Sequence, residues 1–365
     1  MAEIRIENLH KRFAEFVAVR DSSLTVRNGS FFVLLGPSGC GKTTTLRMIA
    51  GLEIPTSGRI LLDGEDVTFL RASQRDIAFV FQLFALYPHM NVRRNLAFPL
   101  QSQGTPGPEI KQRVAEVARL LRIEHLLESP VSRLAGGDRQ RVALGRAIIR
   151  RPKAFLMDEP LGTLDAEFRD LMREELRQLH ERIGATTVYV THDQIEAMSM
   201  ADVIAVMNRG EVLQAGPPAE VYNRPATMFV AGFIGSPAMN FLPVAGPVGA
   251  GAQDVRVNGS TVSVPRLREA LPHEQGVLGA RPEHIQLTDT ATFRGRVFGV
   301  EYMGARQLVT VDTSAGRLRV RAANTVRPRI GDTVGLAFRT ESLIVFDGRN
   351  ERALASDLMQ AASHG

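Results

Sequence analysis

The segment at residues 36–44 combines glycines, a lysine and threonines at a spacing that suits phosphate binding. It matches the pattern G-x-x-x-x-G-K-[ST] and reads Gly36-Pro37-Ser38-Gly39-Cys40-Gly41-Lys42-Thr43-Thr44. Glycines let successive backbone N–H groups point at one anion, and the N-terminus of a following helix adds its positive dipole end. We expect Lys42 to reach the β- and γ-phosphates and the Thr43 hydroxyl to ligate Mg²⁺. Residues 36–44 therefore predict a site for a nucleoside triphosphate with Mg²⁺.

Two adjacent carboxylates, Asp158 and Glu159, directly follow the apolar run Ala154–Met157. Phosphate-loop enzymes place an aspartate on the metal at such a strand end, and a water-positioning residue beside the γ-phosphate. We therefore expect Asp158 to lie near Mg²⁺ and Glu159 to take a proton from the attacking water. Taken alone, the pattern is equally typical of an ordinary strand end at the surface. Combined with the phosphate loop, it indicates nucleotide hydrolysis.

The elements that must position these residues alternate between strand and helix from residue 1 to about 235, which is typical of an α/β domain. Strands are predicted at Ala2–Leu9, Ser30–Leu35, Arg59–Leu62, Ile77–Val80, Ala154–Met157, Thr187–Val190 and Val203–Met207. Helices are predicted after Lys42 and at Ile110–Leu121, Gln140–Arg150, Ala166–Ile183 and Gln194–Met200. Residues from about 84 to 150 are predicted to form an inserted helical subdomain, with helical character from Ile123 to Gly145.

The composition changes from Ser236 onward, where Gly, Pro and Val dominate. Short alternating runs such as Leu318–Arg321 are separated by turn pairs such as Asn258-Gly259. Short strands with tight turns predict a small all-β domain over residues 236–353, of barrel type. The tail at 354–365 is expected to be a short helix or frayed.

The overall composition excludes several classes of protein. A chain of 365 residues with 44% hydrophobic content can bury a full core and form two or three domains. The single cysteine, Cys40, excludes a disulfide framework and a thiolate zinc site. A net charge of +5 without a concentrated basic face argues against a nucleic-acid partner. No apolar run reaches the roughly 18 residues needed to cross a bilayer, so we expect a soluble chain, which does not exclude a membrane partner.

Further motifs make the chain resemble the ATP-binding subunits of ABC transporters over nearly all of its length. Phe79–Gln82 resembles the family's Q-loop, Leu134–Arg141 its LSGGQ-type signature and Leu161–Asp165 its D-loop. Tyr189–Asp193 resembles the strand end that carries the family's switch histidine. The resemblance implies a P-loop NTPase ABC cassette with a helical subdomain, followed by an all-β, OB-like domain of the TOBE type.

The resemblance also implies roles for residues in the cassette's own nucleotide site. Gln82 is expected to touch Mg²⁺ and to report on the membrane partner. His192 is expected to hold the γ-phosphate and orient the attacking water. Phe13 stands where the family has an aromatic side chain that stacks on adenine.

Other residues are expected to act on the nucleotide held by an opposing subunit. The resemblance assigns this role to the signature residues Ala135, Gly136 and Gly137 and to the D-loop residue Asp165. Two ATP–Mg²⁺ would then lie between two cassettes, each phosphate loop facing the other subunit's signature.

The chain departs from the family pattern in these opposing elements. Ala135 stands where the family usually has serine, and Asp138 where it usually has glutamine. Losing the serine hydroxyl removes a hydrogen bond to a charged phosphate, worth roughly 1.5–3 kcal/mol. Gly162-Thr163 replaces a Ser-Asn pair in the D-loop. Two interpretations stay open: ordinary drift in a homodimer, or a weakened signature that this subunit gives to a different ATP-binding partner.

The resemblance finally implies partners and a solute class. Two transmembrane permease subunits are expected to dock on the region Gln82–Val92, with a periplasmic or surface solute-binding protein involved indirectly. The junction Gly232–Leu242 resembles importers of the maltose and glycerol-phosphate type. We therefore expect ATP-driven import of a carbohydrate, polyol or glycerol-type solute from the cytoplasmic face of the plasma membrane. Polyamine or inorganic-ion import is the less favoured alternative.

Overall fold

The computed structural model describes residues 2–162 and 164–360. The chain forms two compact units, Met1–Pro218 and Ala219–Gly365. This division differs from the predicted domain boundary at 235, because the residues just after Pro218 pack with the β domain. Within the second unit, buried Arg281 donates from Nη1 to Ile234 O at 2.7 Å and from Nε to Tyr222 O at 3.0 Å. The Arg281 guanidinium thus joins the segment around 222–234 to the β domain by hydrogen bonds.

The first unit contains strands and helices whose order follows the predicted alternation. Its strands are β1 (Ile4–Phe13), β2 (Phe16–Val26), β3 (Phe31–Leu35), β4 (Ser57–Leu62), β5 (Glu65–Asp66), β6 (Ile77–Val80), β7 (Ala154–Asp158), β8 (Thr186–Thr191), β9 (Val203–Asn208) and β10 (Glu211–Gly216). Its helices are α1 (Lys42–Ile49), α2 (Val92–Ser102), α3 (Gly107–Leu120), α4 (Gly136–Ile148), α5 (Ala166–Ile183) and α6 (Gln194–Met200).

The central sheet of this unit has the strand order β10-β9-β3-β8-β7-β6. The pairs β9–β3, β3–β8, β8–β7 and β7–β6 are parallel, and only β10 runs antiparallel to its neighbour. Every residue of β3 and β8 is buried, as expected for parallel strands covered on both faces. The predicted α/β class is confirmed. The loops after β3, β8, β7 and β6 leave from one edge of the sheet.

A second, antiparallel sheet with the order β2-β1-β4-β5 packs its apolar face on α1 and the central sheet. The sequence interpretation missed β2, because the polar triplet Asp21-Ser22-Ser23 breaks its alternation. The structure accommodates that triplet with register shifts in the β1–β2 pairing and a left-handed backbone at Asp21, where φ is 38°.

The helical subdomain consists of α2, α3 and α4. The sequence interpretation missed α2, whose interior holds Pro99, although Asn91 caps its start by accepting from Arg94 N at 2.9 Å. It also predicted helical character from Ile123 to Gly145. This was confirmed from Gly136 onward, where α4 begins, and was wrong for residues 123–135. Residues 123–135 contain only short 3₁₀ turns, and Ala135 is extended at φ −65° and ψ 163°. No helix among the described residues is long and apolar enough to cross a membrane.

The second unit is all-β, as predicted, apart from short helices. These are α7 (Pro218–Asn223), which begins at the boundary, α8 (Met228–Phe233) and α9 (Asp357–Gln360). Its strands are β11 (Asn240–Val244), β12 (Asp254–Val257), β13 (Ser260–Ser263), β14 (Gly276–Ala280), β15 (Ile285–Thr288), β16 (Arg294–Tyr302), β17 (Arg306–Thr313), β18 (Gly316–Ala323), β19 (Thr333–Phe338) and β20 (Ile344–Asp347).

These strands form three antiparallel sheets around a shared apolar core. The sheets have the orders β15-β19-β16-β17-β18, β11-β14-β20 and β12-β13. In the five-stranded sheet the two edge strands, β15 and β18, also approach each other, so that this sheet curls toward closure. The curl produces the barrel-like shape expected from the short alternating runs.

We predict that buried His180 makes the first unit sensitive to acid. His180 lies edge-on to the Phe31 ring, and its Nδ1 is 3.1 Å from Thr187 Oγ1. Burial, with a smaller effect of Arg177, lowers the pKa of His180 below its usual 6.5. Near that pH the unfolded chain therefore binds more protons than the folded one, and stability is lost as the pH falls below about 6.5. Thermal unfolding of His180→Gln should depend less on pH between about 7.5 and 5.5 than wild type.

The matched control for this experiment is exposed His125. His125→Gln should keep the wild-type dependence of the unfolding temperature on pH. Equal slopes for wild type and His180→Gln would contradict the assignment, whatever their absolute stabilities.

Candidate functional site

The phosphate loop lies between β3 and α1, as the sequence predicts. Gly41 caps α1 with a left-handed backbone at φ 103°. A Cβ added there would lie 2.4 Å from Ala18 O, and one at Gly36 would lie 2.3 Å from Met207 O. Both positions therefore require glycine for space, and Gly41 requires it for its left-handed backbone as well. Burial raises the pKa of the Cys40 thiol, which agrees with a packing role for this side chain.

The side chain of Lys42 is folded back onto the loop that carries it. Its Nζ donates to Gly36 O and to Pro37 O at 2.8 Å each, and the residue is only 4% exposed. The loop's own carbonyl groups thus fix the ammonium beside its backbone N–H groups. A phosphate entering the loop would meet a cation already held in place.

The oxygen atoms of Thr43, in the first turn of α1, and of Asp158, at the end of β7, lie next to each other. The Thr43 hydroxyl donates to Asp158 Oδ1 at 2.9 Å. Burial raises the pKa of Asp158 above its usual range, and the hydrogen bond from Thr43 opposes that effect. The described residues include no cluster of three or more His, Cys, Asp or Glu side chains that could hold a metal alone. Two such donors suit Mg²⁺, which binds a few protein oxygens and completes its shell with phosphate and water.

Glu159 is held between two further loops of the same sheet edge. Its Oε1 lies 3.1 Å from His192 Nδ1, and its Oε2 accepts from Gln82 Nε2 at 3.4 Å. Its backbone N–H donates to Val190 O at 3.1 Å, and its φ of 43° is left-handed. The structure thus brings together all three residues predicted to be catalytic, Gln82, Glu159 and His192, next to the Thr43–Asp158 pair.

The signature residues begin helix α4. Ala135 is the N-cap and supplies no side-chain hydrogen bond, while Gly136 and Gly137 open the first turn. Arg141 lies 3.3 Å from Asp138 and forms two hydrogen bonds with Glu175, at 3.0 and 3.1 Å. The negative charge that Asp138 brings near the helix start is therefore partly offset by Arg141.

The remaining predicted residues lie apart from this cluster. Phe13 is 43% exposed at the end of β1, with Lys11 Nζ 4.6 Å from its ring centre. Asp165 caps α5 by accepting from Phe168 N at 3.1 Å. Thr163, named in the D-loop, lies outside the described residues. Within residues 2–162 and 164–360, no hydrogen bond joins the signature's Ala135–Gly137 to the phosphate loop.

Sequence reasoning missed Glu196, which lies one helical turn beyond His192. Its buried carboxylate accepts hydrogen bonds from Tyr189 and Thr191. The signal was present in Tyr189 and Thr191, which lie on the same face of a fully buried strand, because buried hydroxyls need a partner.

A groove in the helical subdomain contains part of the predicted docking region Gln82–Val92. Its volume is about 430 Å³. It is lined by Ser73, Ala78, Phe79, Tyr87, Phe98, Pro99, Ser102, Gln103, Ala143, Arg146, Ala147 and Arg150. Buried Asn95 fixes the loop beside it, since Asn95 Oδ1 accepts from Tyr87 N at 2.9 Å and Asn95 Nδ2 donates to Tyr87 O at 3.1 Å. Leu83, at the edge of this region, is 79% exposed.

Comparison with known proteins agrees with these features. The family models "ABC transporter" and "TOBE domain" match residues 19–162 and 278–346. The trehalose import ATP-binding protein SugC of Mycobacterium tuberculosis is 45% identical over 388 residues, covering 95% of this chain and 97% of SugC. This chain belongs to the ABC transporter ATP-binding proteins.

Two further comparisons support this membership. The sn-glycerol-3-phosphate import ATP-binding protein UgpC of Rhizobium meliloti is 46% identical over 362 residues, covering 96% of this chain and all of UgpC. The solved structure of cbiO1 from Clostridium perfringens, part of the ABC transporter complex cbiONQ, matches with a TM-score of 0.56 and 28% identity. That match covers 60% of this chain and 89% of cbiO1. As a member of this family, the chain is an ABC-type ATPase.

We predict that the glycines of the phosphate loop differ sharply in tolerance. Gly41→Ala should weaken ATP binding at least about 100-fold, because its Cβ meets the backbone of Ala18 at 2.4 Å. Gly39→Ala is the matched control: its φ of 77° is also left-handed, but nothing lies within 4 Å of its added Cβ. It should cost only the backbone strain, roughly 1–2 kcal/mol. Titration with a fluorescent ATP analogue measures both, and equal losses would contradict the steric argument.

Proposed function

We propose that this chain hydrolyses ATP–Mg²⁺ to drive import of a carbohydrate, polyol or glycerol-type solute through a separate membrane permease. The observation that carries the proposal is the cluster at one sheet edge, where Thr43 donates to Asp158 and Glu159 contacts both Gln82 and His192. A structural strand end has no need of a carboxylate held between an amide and an imidazole. The same arrangement suits a water molecule attacking a phosphate.

Each residue of the cluster has a role in this mechanism. Lys42 and the N–H groups of residues 36–44 hold the phosphates, while Thr43, Asp158 and Gln82 hold Mg²⁺. Glu159 accepts a proton from the water that attacks the γ-phosphate in line, and His192 orients that water. When bound, Mg²⁺ neutralises charge that develops on the phosphate oxygens. Catalysis then consists of positioning and charge neutralisation, without a covalent enzyme intermediate.

A second ATP-binding subunit completes each site in this proposal. Phe13 stacks on adenine within one subunit, whereas Ala135, Gly136, Gly137 and Asp165 face the nucleotide of the other. The exposed ring of Phe13 supports this division, as does the finding that no hydrogen bond among the described residues joins Ala135–Gly137 to the phosphate loop. The second subunit is either a copy of this chain or a homologous one. A homologous partner is favoured by Ala135, whose side chain offers no hydrogen bond to phosphate.

The groove of the helical subdomain is proposed to receive the permease. Its aromatic and aliphatic lining, with Phe79, Tyr87 and Phe98, suits the apolar face of an amphipathic helix. Exposed Leu83 follows Gln82 directly, so a helix seated there would lie next to the proposed Mg²⁺ ligand. Through this contact, movement of a permease helix could change the position of Gln82 in the nucleotide site.

The proposed class of solute is based on the names of similar proteins and not on any residue of the nucleotide site. SugC is named for trehalose import and UgpC for sn-glycerol-3-phosphate import, and both align over nearly the whole chain. We therefore propose a sugar, polyol or glycerol phosphate delivered by a periplasmic or surface binding protein. The chain would act at the cytoplasmic face of the plasma membrane, with its β domain in a regulatory role. Polyamine or inorganic-ion import is the alternative.

The first test is steady-state ATPase activity of the purified chain with Mg²⁺. Glu159→Gln should lower turnover at least about 100-fold while leaving ATP binding intact, because only the proton acceptor is lost. Turnover of wild type alone would mean that Ala135 and Asp138 are tolerated in a homodimer. ATP binding without wild-type turnover would indicate a different partner subunit. Undiminished activity of Glu159→Gln would contradict its catalytic role.

The docking proposal has its own test. Leu83→Ser should weaken co-purification of the permease about tenfold, because an exposed apolar contact is lost at the proposed interface. ATPase activity of the isolated chain should be unchanged. The matched control, Ile330→Ser, alters a similarly exposed residue of the β domain, at 73% exposure, and should retain the permease. Equal retention by both variants would argue against the groove.

A further inference from the structure

Glu196 carries a buried carboxylate that the proposed mechanism does not use. It lies in the first turn of α6 and is 3% exposed. Tyr189 Oη donates to its Oε2 at 2.9 Å, and Thr191 Oγ1 donates to the same oxygen at 2.7 Å. Both donors come from β8, the strand that ends next to His192. One buried oxygen therefore anchors the end of that strand.

The contacts of Glu196 continue around both sides of His192. Thr191, just before it, donates to Glu196 and accepts from Asp193 N at 2.9 Å. Asp193, just after it, accepts from Glu196 N at 3.2 Å and from Ile195 N at 2.7 Å. These bonds form a closed ring through Thr191, Asp193 and Glu196. His192 lies in the chain between Thr191 and Asp193, two members of this ring. Its Nδ1 is 3.1 Å from Glu159 Oε1.

The electrostatic setting of Glu196 argues against a role in stability alone. Burial raises the pKa of its carboxyl group above its usual value, and neighbouring Asp193 adds to the rise. The two hydroxyl donors and Arg169 act in the opposite direction. Arg169, however, forms its own ion pair with Asp193 at 3.6 Å. Burying a carboxyl group that has no cation of its own lowers the folding stability, and an apolar side chain at this position would avoid that loss.

We propose that Glu196 is a positioning residue for His192: it accepts the Thr191 hydroxyl and thereby fixes the backbone that aims the imidazole at Glu159. This inference rests on the proposed role of His192 in hydrolysis. It predicts that what matters at position 196 is a buried hydrogen-bond acceptor. A carboxamide oxygen supplies that acceptor as well as a carboxylate does.

The first part of the test compares variants at position 196 for kcat, KM for ATP and unfolding temperature. The full chain is used, in the assembled transporter if the chain alone does not turn over. Glu196→Leu should lower kcat at least about tenfold with KM for ATP within about twofold of wild type. Glu196→Gln should retain kcat within about threefold. A purely structural role would instead lower the unfolding temperature and leave the kcat of the folded fraction unchanged.

Two conservative variants keep the test decisive if Glu196→Leu does not fold. Thr191→Val removes the hydroxyl inside the ring and should lower kcat as Glu196→Leu does. Tyr189→Phe removes a donor to the same oxygen but lies outside the ring, so its kcat should stay close to wild type. Equal effects of these two variants would overturn the proposal.

A double-mutant cycle separates this proposal from the one on which it rests. In a His192→Ala background, Glu196→Leu should cause no further loss of kcat beyond about twofold, because its effect passes through His192. Additive losses would show that Glu196 acts by another route and would overturn the inference. If His192→Ala alone leaves kcat unchanged, the proposed role of His192 fails first. If His192→Ala lowers kcat and the variants at 196 and 191 do not, only the role of Glu196 fails.

Discussion

The parallel pairing of β3, β8, β7 and β6 is the constraint on which the nucleotide site depends. Parallel neighbours end at the same edge of a sheet, so the loops that follow them must meet. The phosphate loop, His192, the Asp158–Glu159 pair and Gln82 lie just beyond these four strands. The separation of these residues along the chain is therefore irrelevant to their separation in space. Every contact of the cluster crosses from one of these strand ends to another.

In the proposed mechanism, the residues of a subunit's own site and its signature residues differ in how they are held in place. The residues of a subunit's own site form direct contacts with one another, as in the Thr43–Asp158 and Glu159–His192 pairs. Among the described residues, the signature's Arg141 binds Glu175 of the neighbouring helix α5, and no hydrogen bond joins Ala135–Gly137 to the phosphate loop. A change in the signature therefore leaves the other site residues in place. This independence explains how the chain can depart from the family pattern at Ala135 and Asp138 and still keep an intact cluster around Glu159.

Sequence reasoning predicted the cluster well, because its residues occur at strand ends with recognisable neighbours. Helices Ala166–Ile183 and Gln194–Met200 and strand Ile77–Val80 were predicted to the residue. Strand β2 and helix α2 were missed, since bulges and Pro99 disrupt the periodicity on which such predictions rest. The unit boundary could not be predicted either. Residues 222–234 join the β domain through contacts such as those of buried Arg281, which donates to backbone carbonyls far away in sequence.

The signature's lost hydroxyl has to be weighed against what remains at the start of α4. A hydrogen bond from serine to a charged phosphate is worth roughly 1.5–3 kcal/mol. The N–H groups of Gly136 and Gly137 and the positive end of a thirteen-residue helix remain. Asp138 would oppose an anion there, but Arg141 lies 3.3 Å from its carboxylate and also binds Glu175. In the proposed dimer, the site given to the opposing subunit would therefore be weakened and not destroyed. Such a signature would still permit the proposed closure over ATP, and its cost would appear in the affinity of the closed dimer before it appeared in the chemistry of Glu159.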